Sequence, residues 1–268
     1  MKVPPLLARY AETVIMPLFL VAVYAAFVLT SNAQGAALVL SLSFLVLVLL
    51  LWFGFRRLKL HAQASRLAGV GEPDELLAHV ARELPRCMTE GGRRPLYIHA
   101  AIAHNLRGDF AAARASLDRS AYLEPSRSRR GRGWQGLAAA TDVVTRTEQG
   151  DLAGARRSYE RWVAPIAALA PYGGMALVAR ECLARLKLAE GDPAGARELI
   201  APLVKNIRLS DATRAQVHAL LASAARAQGE EAEAADHAAK ARALAPRCKL
   251  LPDEWAASAP GPAGATAA

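Results

Sequence analysis

Four glycines, Gly108, Gly150, Gly191 and Gly229, are each followed by an acidic residue and recur at spacings of 42, 41 and 38 residues. A period of that length marks a repeat architecture, in which one supersecondary unit is stacked several times. The recurrence extends to the flanks. An alanine follows each glycine by five residues (Ala113, Ala155, Ala196, Ala234), and another precedes three of the four by seven (Ala101, Ala184, Ala222), with Val143 in that place in the second unit. Nine residues after the glycines stand Leu117, Tyr159, Ile200 and Ala238, and twelve after stand Ser120, Trp162, Leu203 and Ala241. Pro125 and Pro246 follow the first and last glycines by seventeen residues.

From Arg56 onward the chain is rich in Ala, Leu, Arg and Glu and poor in β-branched runs, which is a helical composition. The repeat therefore reads as a helix, a tight turn and an antiparallel second helix. Gly ends the first helix in the left-handed conformation, and the adjoining Asp or Glu favours the positive N-terminal end of the next. Small alanines beside the turn let the paired helices approach. The bulkier positions at plus nine and plus twelve pack on the next hairpin. Each hairpin leaves an apolar face uncovered, so a right-handed stack is expected.

The pattern from Arg94 through Tyr97, Ala101, Gly108, Ala113 and Leu117 to Pro125, repeated up to Pro246, resembles the tetratricopeptide repeat family over residues 92–250. The middle units depart from it, with Val143 at a small position, no terminal proline and a long spacing that predicts extended helices or inserted loops. The resemblance implies an α-solenoid whose first helices line a groove for a peptide or partner helix. It implies that Asn105, Thr147, Glu181, Arg185, Gln216 and Arg226 project into that groove. Gly71-Glu72-Pro73-Asp74 predicts one earlier hairpin within residues 58–91, with helices over Leu58–Ala68 and Glu75–Leu84. The array then has four to five hairpins.

Two uncharged apolar runs precede the repeats, Thr13–Thr30 and Ala36–Phe55, joined by Ser31-Asn32-Ala33-Gln34-Gly35. At about 1.5 Å per residue they reach roughly 27 and 30 Å, the thickness of a bilayer's hydrocarbon core. Neither has a polar face, so residues 1–57 read as a transmembrane hairpin. Lys2 and Arg9 precede the first run, Arg56, Arg57, Lys59 and Arg66 follow the second, and the connecting turn has no basic residue. Both termini and the repeat domain are therefore expected on the cytoplasmic side. If the first run were instead a signal peptide cleaved after Ala33, the second, stopped by Arg56-Arg57, would leave the remainder on the same side. Two membrane helices followed by such repeats resemble, in layout alone, a bacterial membrane-protein family associated with haem biosynthesis, which implies the inner membrane.

Chemistry is sparse. Cys87, Cys182 and Cys248 are odd in number, widely spaced and without a C-x-x-C pair, which points to reduced thiols. The six histidines show no metal-ligand spacing, and no phosphate loop, nucleophile elbow or dinucleotide motif occurs, so neither an enzyme nor a cofactor is expected. A net charge of +9 favours anionic surroundings. Its densest expression is Ser126–Trp134, expected as a loop that carries Arg127, Arg129, Arg130 and Arg132. That loop is either a solvated connector or a contact for anionic lipid headgroups. Nucleic acid is disfavoured, because no stacked aromatics or reading helix accompany the arginines. Residues 251–268, with Pro260 and Pro262 among Ala, Gly and Ser, have too little to bury and are expected to be disordered.

Two functions fit. One is a membrane-anchored scaffold whose repeats recruit a protein partner. The other is a structural subunit of an oligomeric membrane complex, with the transmembrane hairpin as its main interface.

Overall fold

A computed structural model of the protein describes residues 43–48, 59–87, 89–121, 129–169, 174–206 and 209–249. Among the described residues all regular structure is helical. The chain divides into two compact units, Met1–Ala62 and Gln63–Ala268, the division falling inside a helix, α1, over residues 59–70. In the first unit residues 43–48 are helical, with Phe44, Leu45, Leu47 and Val48 all exposed. Apart from these six residues both expected spans lie outside the described residues. Among the described residues no helix is long and apolar enough to cross a membrane.

After α1 come α2 (Pro73–Glu83), α3 (Glu90–Leu106), α4 (Phe110–Ser120), α5 (Arg129–Glu148), α6 (Leu152–Ser158), α7 (Ala164–Ala168), α8 (Gly174–Ala189), α9 (Pro193–Ile200), α10 (Asp211–Ala227) and α11 (Glu231–Leu244). A π-helical turn, Tyr159–Val163, joins α6 to α7, and a 3₁₀ turn, Ala201–Lys205, extends α9. They form five successive hairpins: α1/α2, α3/α4, α5/α6–α7, α8/α9 and α10/α11.

One turn joins the two helices of every hairpin. Gly71, Gly108, Gly150, Gly191 and Gly229 have φ of 80°, 74°, 79°, 84° and 80°, a conformation that glycine adopts without steric cost. The acid after each returns its N–H to a carbonyl five residues back: Glu72 to Leu67, Asp109 to His104, Asp151 to Arg146, Asp192 to Lys187 and Glu230 to Ala225, at 2.8–3.1 Å. This pairing closes the helix C-terminus. The three aspartates then cap the next helix, accepting from Ala112, Gly154 and Gly195 N–H at 3.0, 2.9 and 2.8 Å. The glutamates at Glu72 and Glu230 make no such cap, their side chains being one carbon too long for the short loop.

Close helix approach explains the small residues. Ala64, Ala101, Val143, Ala184 and Ala222, each seven residues before a turn glycine, are fully buried, as are Ala113, Ala155 and Ala196 five after. The first hairpin obeys the same rule through Ala64 but places Leu76 at plus five. Apolar seams then join consecutive hairpins. Ile98, Leu117 and Ala138 pack between hairpins two and three, Val143, Val163, Cys182 and Leu186 between three and four, and Ile200, Leu203, Val217 and Leu221 between four and five. The result is a solenoid-like stack.

Three expectations shift. The repeat region begins at Glu90 rather than 92, because Thr89 Oγ1 accepts Gly92 N–H at 3.2 Å and caps α3. The first hairpin's first helix continues to residue 70 instead of ending at 68, and its second runs over Pro73–Glu83 instead of 75–84. Extended helices contribute to the long middle spacing: α5 has 20 residues against 17 in α3, and the second helix of hairpin three continues through its π turn. Tyr159 and Trp162, the plus-nine and plus-twelve residues there, are half-buried against the hairpin three–four seam.

Candidate functional site

The polar groups along the turns are the most regular feature of the array. Four residues before the turn glycine, a basic side chain reaches the capping aspartate: Arg146 Nη1 to Asp151 Oδ2 and Lys187 Nζ to Asp192 Oδ2, both 2.5 Å, and His104 Nδ1 to Asp109 Oδ2 at 3.8 Å. The Gly154 N–H and then Arg146 hold the Asp151 carboxyl below its usual range, and Lys187 and then the Gly195 N–H do so for Asp192.

Six residues after the glycine stands an arginine that crosses to the following hairpin. Arg114 Nη1 meets Asp142 Oδ1 at 2.6 Å, Arg156 Nε meets Glu190 Oε1 at 3.1 Å, and Arg197 holds Glu233 through two bonds of 2.6 and 2.7 Å, with Gln228 at 3.2 Å and Glu230 beside it. These inter-hairpin staples were not singled out from the sequence, although the signal was there: Gly-Asp-x-x-x-Ala-Arg stands at 108–114, 150–156 and 191–197. The position six after Gly229 is Ala235, where no further hairpin follows α11 among the described residues.

The six positions assigned to a partner groove lie on first helices of the hairpins, and five of them bond within their own helix or to an adjacent one. Asn105 Nδ2 donates to Thr141 C=O at 3.3 Å, and its Oδ1 accepts from Thr145 Oγ1 at 3.1 Å. Thr147 is buried and donates to Val143 C=O at 2.8 Å. Arg185 reaches back to Glu148 Oε1 at 2.5 Å and along α8 to Glu181 Oε1 at 3.7 Å. Glu181 is buried, which pushes its carboxyl upward against the opposing pull of Arg185. Gln216 is half-buried, and Arg226 Nε lies 3.6 Å from Glu231 Oε1 beside the last turn.

The basic segment is less of a loop than its composition suggests. Arg129, Arg130 and Arg132 are helical, within α5, with the Arg132 side chain exposed; Arg127 lies outside the described residues. Packing outweighs the poor helix propensity of Gly131 and Gly133. Trp134 meets the buried His99 ring edge-on, with centroids 5.5 Å apart, and Ala138 lies in the seam with hairpin two.

A histidine pair was also unexpected. His218 on α10 and His237 on α11 approach Nδ1 to Nδ1 at 2.9 Å, a contact that requires at least one neutral ring. Burial lowers both from the ordinary histidine value. Around His218, His237, Lys240 and Arg214 add to the lowering and Asp236 opposes it; around His237, Asp236 and Glu233 oppose it while Lys240 and Arg197 add to it. The folded state thus binds fewer protons than the unfolded chain below the unperturbed value of about 6.5. Stability is complete above that pH and falls as the pH drops through it. Melting followed by circular dichroism should show Tm decreasing from pH 7 to pH 5, with a shallower slope in the His218→Gln/His237→Gln double variant. The remaining slope includes His104, also lowered chiefly by burial. An unchanged slope in the double variant would exclude the pair as its source.

Among the described residues no group of three or more His, Cys, Asp or Glu side chains is placed to hold a metal ion. Among the described residues no disulfide forms: Cys182 is buried, donates toward Ala140 C=O at 3.7 Å and is shifted upward by burial, while Cys87 and Cys248 are half-buried. No protein-family model matches the chain, and neither a curated protein nor a solved structure does.

Proposed function

We propose that the protein is a membrane-anchored scaffold in which a tetratricopeptide-like array presents a surface to a protein partner. What supports this is the five-fold recurrence of one capped glycine turn, with an apolar seam between hairpins two to five and an arginine staple across each of those three seams. Such a stack is built to hold shape over a long surface rather than to assemble a catalytic constellation. The apolar runs at 13–30 and 36–55 fix the chain in a bilayer, with the array on the cytoplasmic face, and the arginines at 127–132 lie against anionic headgroups.

A second reading is the structural subunit, whose transmembrane hairpin is the main interface. It is favoured by the internal engagement of Asn105, Thr147, Glu181 and Arg185, which leaves the groove positions few free polar groups. Affinity purification in mild detergent separates the two. If the array carries recognition, the full-length protein and a chain begun at Lys59 should retain the same partner. If the fragment loses that partner, the membrane hairpin is the interface.

A further inference from the structure

The last hairpin returns to the first. Beyond α11, residues 245–249 run across the turns of hairpins one and two. Lys249 N–H donates to Leu106 C=O at 2.7 Å, Cys248 Sγ to Gly71 C=O at 3.5 Å, and Arg247 pairs with Glu72. Ala245 is fully buried there. A Cβ placed on Gly71 would lie 3.1 Å from both Ala245 Cβ and Cys248 Sγ, whereas one on Gly150, Gly191 or Gly229 would meet nothing within 4 Å. The N-terminal end of α10 closes in as well, with Ser210 Cβ 3.2 Å from a Cβ placed on Gly69. Partial burial and the nearby Glu72 push the Cys248 thiol up to about 11, so it stays a neutral donor.

This closure differs in kind from the seams between neighbouring hairpins. Those are filled by fully buried Leu, Ile and Val side chains. The closure relies on one backbone bond, one thiol donor and an ion pair in which Arg247 is 60% exposed. Beside it an open cleft of about 470 Å³ is lined by Asp74, Arg107, Gly108, Asp109, Arg247 and Lys249. Regions held by few apolar contacts and solvent-exposed polar ones open first.

We infer that Ala245–Lys249 is a clasp that closes the array by joining hairpin five to hairpins one and two, and that the array opens by releasing it before any apolar seam parts. This goes beyond the scaffold reading and stands without it.

The test is Gly71→Cys in the full-length chain, oxidised with diamide in mild detergent. Two thiols give up two electrons and two protons to diamide, and a bond forms between the new sulfur and Cys248 Sγ. The 3.1 Å from Cβ to sulfur matches the roughly 3 Å across a disulfide with an S–S bond of about 2.0 Å. Peptide mass spectrometry should find the 71–248 link, and none in Gly191→Cys, which bears the same left-handed strain with nothing nearby. Hydrogen exchange at α3 and α10 should be at least tenfold slower in the linked chain than after reduction, and at least tenfold faster in a chain ended at Leu244. A folded Gly71→Cys chain that forms no link overturns the inference, as does a link that leaves exchange unchanged. If Gly71→Cys does not fold, the chain ended at Leu244 decides, and exchange equal to that of the intact protein overturns the clasp.

Discussion

Membranes carrying the full-length chain should retain it through an alkaline carbonate wash, while the chain begun at Lys59 should leave wholly in the supernatant. The run Ala36–Phe55 holds eight leucines, three valines and three phenylalanines without a charge. At about 0.3–0.6 kcal/mol for each such residue near a helix centre, that run alone favours insertion by about 4–8 kcal/mol. The described part of it, residues 43–48, is helical, and its Phe44 and Leu45 are 68% and 53% exposed. Removing both runs takes away this driving force and leaves an array whose large side chains are mostly buried. The outcome is close to all-or-none. A full-length chain stripped by carbonate would remove the two-span anchor, and a fragment that stays in the pellet would move membrane attachment onto the array.

The hairpin stack was legible because each turn imposes a local demand that few residues meet. A left-handed C-terminus takes glycine, a short N-terminal cap takes aspartate, and close helix approach takes alanine, so Gly108-Asp109 and Ala113 announce their geometry without any knowledge of the fold. Ala64 and Leu76 show the limit of that logic. The first hairpin keeps the glycine and the small residue at minus seven but fills plus five with leucine, and it reads from sequence only as a turn with two approximate helices. Side-chain chemistry between hairpins was far less visible. Arg114, Arg156 and Arg197 recur in register, yet an arginine on a helix is ordinary until its acceptor, on a helix some thirty residues away, is known. The His218–His237 contact depends on how the two helices of hairpin five are rotated against each other, and the return of Lys249 to Leu106 on how the stack curves, which no spacing encodes. The basic segment misled for a related reason. Ser, Gly and Arg give residues 126–133 the composition of a loop, but Trp134 and Ala138 anchor the following face and draw the helix back to Arg129.

Replacing Asp142 by alanine should cost about 2–3 kcal/mol and lower the urea midpoint accordingly. The carboxylate is 2% exposed and divides its oxygens between two helices, Oδ1 accepting from Arg114 Nη1 of α4 at 2.6 Å and Oδ2 from Arg146 Nε of α5 at 2.9 Å. Arg146 passes the contact on to Asp151, the cap of α6. One side chain therefore ties the seam between hairpins two and three to the turn of hairpin three. Removing one partner of a fully buried pair costs about 3–5 kcal/mol, because the other charge is left unpaired. Here the arginines are 33% and 23% exposed and water takes up part of that loss, hence the smaller figure. Asp142→Asn keeps the shape and one acceptor and should cost about half as much. In the Asp142→Ala background a further Arg114→Ala change should add little, giving a coupling of about 1–2 kcal/mol in a double-mutant cycle. Because each hairpin is stabilised chiefly by its neighbours, hydrogen exchange should rise across hairpins two and three together rather than at Asp142 alone. Additive single effects would place Asp142 and Arg114 in separate environments and remove the staple as a stabilising contact.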